Sequence, residues 1–409
     1  MSGEWPDRST EHTGSGGERP DFSAEHTGGG AERPDFSAEQ ITRGRALRRA
    51  QWPPLLAGRL VPLTLLLVLG LTPAGAALVT VVARPFGGAW IARVLLGGLA
   101  LLLASELAEL PFAARVRVVR QRFGLVTQGW PGWFTDRARG LLVGAPLALG
   151  ALYGVYALAG ATRWWWAWAP GAAALAAVVL SWLAPVLLEP VFNRFTPMEP
   201  GPLREALLEL AARDRIAVRE VLVADASRRT TALNAYVSGF GRTRRIVVYD
   251  TLLATARPRE IELVAAHELG HVKHRDVPRG TLLGALGAAL GVCLLAVLVR
   301  WSPLLAAAGV HRFADPRSMA LLAALAALGS ALAGPFGCAL TRRVERRADR
   351  HALQLTGDPG EFIAMQRRLT VANVADPDPP RALHLLFGTH PTAVQRIAAA
   401  RDYQRAQIA

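Results

Sequence analysis

This sequence predicts a mainly α, polytopic membrane protein with about six transmembrane helices and an α+β region inserted between spans four and five. Three observations carry that expectation. Of the 409 residues, 51% are apolar, and they gather in long blocks rather than scattering along amphipathic elements. Six blocks meet or approach the roughly 20 residues a helix needs to cross about 30 Å of hydrocarbon. The remainder is basic, with a formal net charge of +14, and its arginines stand beside the blocks, where they orient helices and meet anionic headgroups. That placement makes the lipid bilayer the partner of the charge and speaks against nucleic acid. The two cysteines, Cys293 and Cys338, lie in separate apolar blocks and can build neither a disulfide framework nor a cysteine metal cluster.

In chain order, residues 1–50 read as a disordered tail. Glu11 to Ala24 recurs almost unchanged as Glu25 to Ala38, a Gly-, Ser- and Pro-rich duplication that cannot bury enough surface to order itself. One histidine per repeat, His12 and His26, makes a poor metal site. The first apolar block begins near Leu60, too far along for an ordinary cleavable signal, so it is expected to stay as an anchor. The four-span region, 51–188, holds blocks Leu60 to Ala83, Val94 to Phe112, Leu141 to Ala161 and Trp164 to Leu188. Trp164, Trp165, Trp166 and Trp168 suit an interfacial belt. Glu106 and Glu109 share a face of the second block, which suggests either a water-filled cavity or helix-end pairing with Arg115 or Arg117. A hairpin over 281–340 supplies the last two blocks, Thr281 to Val299 and Met319 to Leu340, and a helical region, 341–409, follows.

Arginine is dense before the first block, at Arg43, Arg45, Arg48 and Arg49, and again between the second and third, at Arg115 to Arg139. The alternate loops are poorer. Both termini and region 189–280 are therefore expected in the cytoplasm, in a multi-pass protein of the cell membrane. An even number of spans then separates region 189–280 from residues after Leu340, so the two can meet.

Within 189–280, Leu203 to Ala212 has helical spacing, Val221 to Val223 and Ile246 to Tyr249 are β-branched runs, and Ile261 to His274 reads as a helix. That last helix carries His267-Glu268-Leu269-Gly270-His271. Histidines at i and i+4 fall on one face, so two ring nitrogens can converge on one ion, while Glu268 lies about 100° around, placed to hold a water. This is the constellation of a zinc peptidase, in which a catalytic ion takes three protein ligands and keeps one position open. The extended pattern that would supply a third histidine fails, because His274 stands where its glycine would be and Val277 where its histidine would be. Glu345 and Asp349 share a face of the helix after the sixth block. They suit a glutamate ligand with an aspartate behind it, orienting His267 or His271; read alone, they could equally pair with Arg342, Arg343, Arg346 and Arg350 on a solvated helix. Asn234 reads as a turn residue and His390, before Pro391, as part of a surface loop.

Five blocks, in this order, resemble the type 1 CAAX prenyl protease family: Pro190 to Pro197, Asn234 to Gly241, His267 to His271, Glu345 to Asp349, and Thr389-His390-Pro391. The likeness runs from about Leu101 to Ile397. It implies an integral-membrane gluzincin with one zinc ion per chain on His267, His271 and Glu345. Glu268 would be the general base and Asp349 a catalytic support, with Asn234 and His390 steadying the tetrahedral intermediate. Asn234 would lie by the edge strand that receives the peptide. Two positions depart from the family: Ala232 stands where a histidine is frequent, and Thr389 where a serine or aspartate is. The expected activity is hydrolysis of peptide or protein substrates, including membrane-associated ones. Two other readings are an HtpX-like quality-control protease, whose lead is usually a shorter two-span one, and a non-catalytic membrane protein with a structural zinc, for which Glu268 would have no use.

Overall fold

Proline, glycine and capping residues set where the apolar blocks become helices. A computed structural model describes residues 35–185 and 189–408. The membrane lead consists of α1 (Ala38–Gly70), α2 (Pro73–Ala83), α3 (Trp90–Arg122), α4 (Trp130–Ala161) and α5 (Trp165–Leu183). Next come α6 (Glu189–Phe192), β1 (Phe195–Pro197), α7 (Pro202–Arg213), β2 (Glu220–Ala224), β3 (Ala235–Ser238), β4 (Arg245–Tyr249), α8 (Asp250–Thr255) and α9 (Pro258–Lys273). The chain continues through α10 (Asp276–Leu298), α11 (Ser302–Ala307) and α12 (Met319–Thr356), and finishes with α13 (Pro359–Ala372), α14 (Arg381–Phe387) and α15 (Ala393–Ile408). Six helices, α1, α3, α4, α5, α10 and α12, are long and apolar enough to cross a membrane.

The first block is not one span. Leu71 and Thr72 break it, Thr72 caps α2 and Pro73 occupies its first turn. Small residues then let the break fold against α12: a Cβ on Gly70 would sit 2.6 Å from that of Ala324, and one on Gly75 2.4 Å from that of Ala320. Helix α1 starts at Ala38, inside the segment whose composition reads as tail, because Ser37 and Gln40 form a reciprocal capping box there. Arg48 then pairs with Asp376 at 2.6 Å. The repeats with His12 and His26, and residues 186–188 at the end of the fourth block, lie outside the described residues. The hairpin expected over 281–340 is longer at both ends. In α12 the apolar part, Met319 to Leu340, covers about 33 Å at 1.5 Å per residue, so Thr341 onward projects beyond a bilayer's hydrocarbon.

Bundle ends are sorted. At one end, Thr230 donates to the Leu125 carbonyl at 2.9 Å, Ser181 meets Thr281 at 2.6 Å, and α9 packs on α12. The Arg-rich segments gather there. At the other end Tyr156 and Trp165 stack on Phe313, and Tyr156 hydrogen-bonds Ser318 at 2.9 Å. Trp165 thus packs inward, whereas Trp168, 67% exposed, faces out as a belt residue would. Glu106 and Glu109 pair with neither Arg115 nor Arg117: Arg137 of α4 reaches both, at 2.8 and 3.6 Å. A cleft beside them is lined by Pro62, Ser105 and Gly144.

The sheet has the order β1-β2-β4-β3, with β2 and β4 parallel and the outer pairs antiparallel. Both expected strands are present; β1 and β3 are too short and too mixed in composition to announce themselves. One hydrophobic core joins this sheet to α7, α9 and α13 through Leu207, Ile246, Ile261, Leu269, Phe362 and Met365.

Glu260 anchors the start of α9. Burial would raise its pKa, but the Arg368 side chain and the Arg257 backbone N–H donate to it and hold it below the ordinary 4.5. A carboxyl whose folded pKa is depressed contributes stability above its unfolded pKa and loses it as pH falls through the folded value. Glu260→Gln is therefore expected to cost about 3 kcal/mol at pH 7. Thermal melts of the purified chain in detergent should show that deficit narrowing below pH 4.5.

Candidate active site

Helix α9 brings His267 and His271 to one face, and Gly270 determines how closely α12 approaches it. A Cβ at Gly270 would meet His351 Cβ at 3.1 Å and Ala348 Cα at 3.2 Å, tighter than ordinary contact, so a side chain there would press α12 away by a few tenths of an ångström. The crossing sets the α12 carboxylates against the α9 imidazoles. His267 Nε2 lies 3.2 Å from Glu345 Oε2, His271 Nε2 lies 3.7 Å from Glu345 Oε1, and the two Nε2 atoms are 3.2 Å apart. Glu268 shares the cluster, with ligand-type atoms of His267, Glu268 and His271 all within 4.8 Å of one another.

These spacings test whether an ion fits. Ligand bonds of about 2.1 Å at tetrahedral angles place donor atoms about 3.4 Å apart. The three separations straddle that value. Glu345 Oε2 is buried, and its near polar neighbours are imidazole nitrogens of His267 and His390 at 3.2 and 3.4 Å, an arrangement that a cation among them would complete. Two imidazoles and a carboxylate, converging with one side left open, suit a tetrahedral divalent ion.

Behind the donors lies a layer of carboxylates. Asp349 Oδ1 is 2.9 Å from His267 Nδ1, so the ring donates there and keeps Nε2 aimed at the cluster, where an ion would replace its proton. Of the two histidines left open by sequence, Asp349 meets His267. Asp276 does the same for His271, at 3.0 Å. Arginines hold both acids, Arg396 on Asp349 and Arg347 on Asp276. Sequence reasoning missed Asp276, Arg347 and Arg396; only the position of Asp276 at the first turn of the next helix, five residues beyond His271, was a signal. Glu345 and Asp349 pair with none of the four neighbouring arginines on α12. Arg342 instead donates to the His384, Leu385 and Gly388 carbonyls, tying down the segment that leads to His390. His274 stands apart, edge-on to His351.

His390 Nε2 comes within 3.4 Å of Glu345 Oε2, and its Nδ1 lies 2.9 Å from the Thr389 hydroxyl, so the departure at Thr389 still supplies a group that orients the ring. Asn234 is exposed at the start of β3, where its carbonyl accepts from Tyr249 N at 3.1 Å. Among the described residues its amide has no hydrogen bond to the cluster. Burial lowers the pKa of His267, but the Asp349 and Glu345 carboxylates outweigh it and raise the value to about 9. Burial raises Glu268 above the usual carboxylate range against the pull of both imidazoles, and burial lowers His390.

Fold and site together define a metallopeptidase built into a bundle of membrane helices. Residues 197–404 match Peptidase family M48, and the chain belongs to that family. Residues 35–194, which hold α1 to α6, match the description "CAAX prenyl protease N-terminal, five membrane helices". The Bacillus subtilis protein named uncharacterized metalloprotease YhfN is 28% identical over 75% of this chain and 72% of its own length. A CAAX prenyl protease 1 homolog of Arabidopsis thaliana is 33% identical over 41% of each chain. The crystal structure of S. mikatae Ste24p superposes with a TM-score of 0.77 at 21% identity, over 90% of this chain and 89% of that one, and shows the same fold. The resemblance to the CAAX prenyl protease family is borne out, and the chain is a membrane metalloprotease of that group.

With His267 protonated below about pH 9 in the ion-free site, an entering divalent ion must displace that proton. Apparent affinity for the ion is therefore expected to weaken about tenfold per pH unit between pH 8 and pH 6. Titrating the stripped protein with zinc in two buffers of different ionisation enthalpy should show about one proton released per ion bound.

Proposed function

We propose that this chain is an integral-membrane zinc endopeptidase in which His267, His271 and Glu345 hold the ion and Glu268 is the general acid and base. The observation that carries it is the near-tetrahedral spacing of three donors from two helices, with a buried carboxylate one position along α9. A zinc ion held by these residues would supply a water whose pKa is lowered towards about 7 and a Lewis acid for the peptide carbonyl. Glu268 takes the proton of the attacking water and returns it to the departing amine, and its raised pKa suits both tasks. His390, beside Glu345, and Asn234, at the edge strand, donate to the oxygen on which negative charge develops. Asp349, gripped by Arg396, keeps His267 in the tautomer that offers Nε2.

The peptide enters extended, as an added strand on β3. Its source is a protein at or in the bilayer, since the site lies at one end of the membrane bundle. The arginine-rich segments share that end, which supports a cytoplasmic active site in the cell membrane. Regions 1–50, 51–188, 189–280, 281–340 and 341–409 then serve in turn as tail, membrane lead, metallopeptidase region, hairpin and carrier of the third ligand. The match of residues 35–194 to the CAAX lead favours this reading over an HtpX-like one.

Glu268→Gln is expected to retain one zinc per chain and to lose about 1,000-fold in peptide turnover. Comparing neo-termini in membranes of cells with the intact chain and with this variant reads the same loss in vivo. Undiminished turnover would remove Glu268 from the scheme.

A further inference from the structure

Helix α1 brings Arg45, Arg48 and Arg49 to a cleft that it forms with α14, where Asp378, Arg381 and His384 join the lining. The cleft has a volume of about 580 Å³. Arg48 is neutralised by Asp376 at 2.6 Å. Among the described residues, Arg45, Arg49 and Arg381 are exposed and form no ion pair. These three arginines face one lining carboxylate, Asp378, which pairs with none of them, and their mutual repulsion works against holding α14 on α1. An anion between the two helices would reverse that sign.

The depth of the cleft points to the source of the anion. From Pro53 to Gly70, α1 holds one charged residue, Arg59, and covers about 27 Å, close to the hydrocarbon thickness of a bilayer. Trp52 then stands at the interface. Arg49 and Arg45 follow about 4.5 and 10 Å further out along the helix, where the headgroups of a lipid leaflet lie. Helix α12 gives the same level independently, because Arg342, just past the apolar part that ends at Leu340, donates to the Leu385 and Gly388 carbonyls at the end of α14. A second cavity, of about 320 Å³, shares Arg48, Pro379 and His384 with the cleft and continues between Leu47, Trp52, Leu383 and Phe387. A cationic cleft continuous with an apolar cavity suits an amphipathic anion better than a free one.

We propose that this cleft binds the phosphate of an anionic membrane lipid between Arg45, Arg49 and Arg381, with the start of its acyl chains in the cavity beside Trp52 and Phe387, and that the bound lipid fastens α14 to α1. None of the residues assigned to the metal lines either cavity.

The test is native mass spectrometry of the full chain in neutral detergent, mixed with dioleoyl phosphatidylglycerol, which is anionic, or dioleoyl phosphatidylcholine, which is zwitterionic. One phosphatidylglycerol per chain is expected to be retained, about tenfold more tightly than phosphatidylcholine. Arg45→Gln, Arg49→Gln and Arg381→Gln together should abolish that preference. Removing as many exposed arginines outside the cleft, by Arg115→Gln, Arg122→Gln and Arg343→Gln, should leave it intact. Should the cleft variant fail to fold, Arg381→Gln alone is expected to cut the preference about threefold. Inorganic phosphate should displace the lipid only in about hundredfold excess, since it gains nothing from the apolar cavity. Displacement at equal concentration overturns a lipid as the occupant. Equal retention of the two lipids, a preference that survives the cleft variants, or one lost equally in the variant outside the cleft, overturns the site.

Discussion

Everything at the site depends on how closely α9 and α12 cross. Gly270 and Ala348 permit an approach that sets Glu345 and Asp349 against the imidazoles of His267 and His271. Four buried or half-buried ionisable groups then share a small volume, an arrangement that repulsion and desolvation would disfavour without a cation at its centre. The two arginines behind it, Arg396 and Arg347, each neutralise one outer carboxylate and leave Glu345 as the acid facing the imidazoles without an arginine. In this arrangement the carboxylates nearest the imidazoles, Glu345 and Glu268, face a point where a divalent ion would balance them.

The membrane helices make this crossing possible. Because α12 is longer than its apolar part, it carries the carboxylates out of the hydrocarbon as a rigid extension of a span. Helix α10 starts at Asp276, so the residue that orients His271 also opens the next span. The glycine and alanine contacts that fold α2 onto α12 at the far end fix the same helix from the opposite side. A single continuous helix thus couples membrane packing to ligand geometry.

Much of this was legible in the chain. The i, i+4 histidines with an adjacent glutamate specify their own geometry once a helix forms, and apolar block lengths report spans directly. Glu345 could be selected only because the span count placed it on the same side as His267. Boundaries failed where a local cap competes with composition: Ser37 and Gln40 start α1 inside a segment whose average polarity suggested a tail, and Thr72-Pro73 divides a block that hydropathy alone reads as continuous. The outer layer was hidden for a different reason. Arg396 and Asp349 are far apart in sequence, and a charged pair brought together only by tertiary packing leaves no periodic signal. Glu106 and Glu109 show the same limit, since their partner Arg137 lies on a neighbouring helix rather than one turn away.

The central claim is joint custody of one ion by two helices separated by a membrane hairpin. X-ray absorption spectroscopy at the zinc edge, with metal counted by mass spectrometry on the same purified chain, tests it most directly. One zinc per chain is predicted, with nitrogen and oxygen neighbours at about 2.0–2.1 Å and no sulfur. The ion should be lost on Glu345→Ala while His267 and His271 remain. Full retention of metal by that variant, or a sulfur shell, would contradict the account.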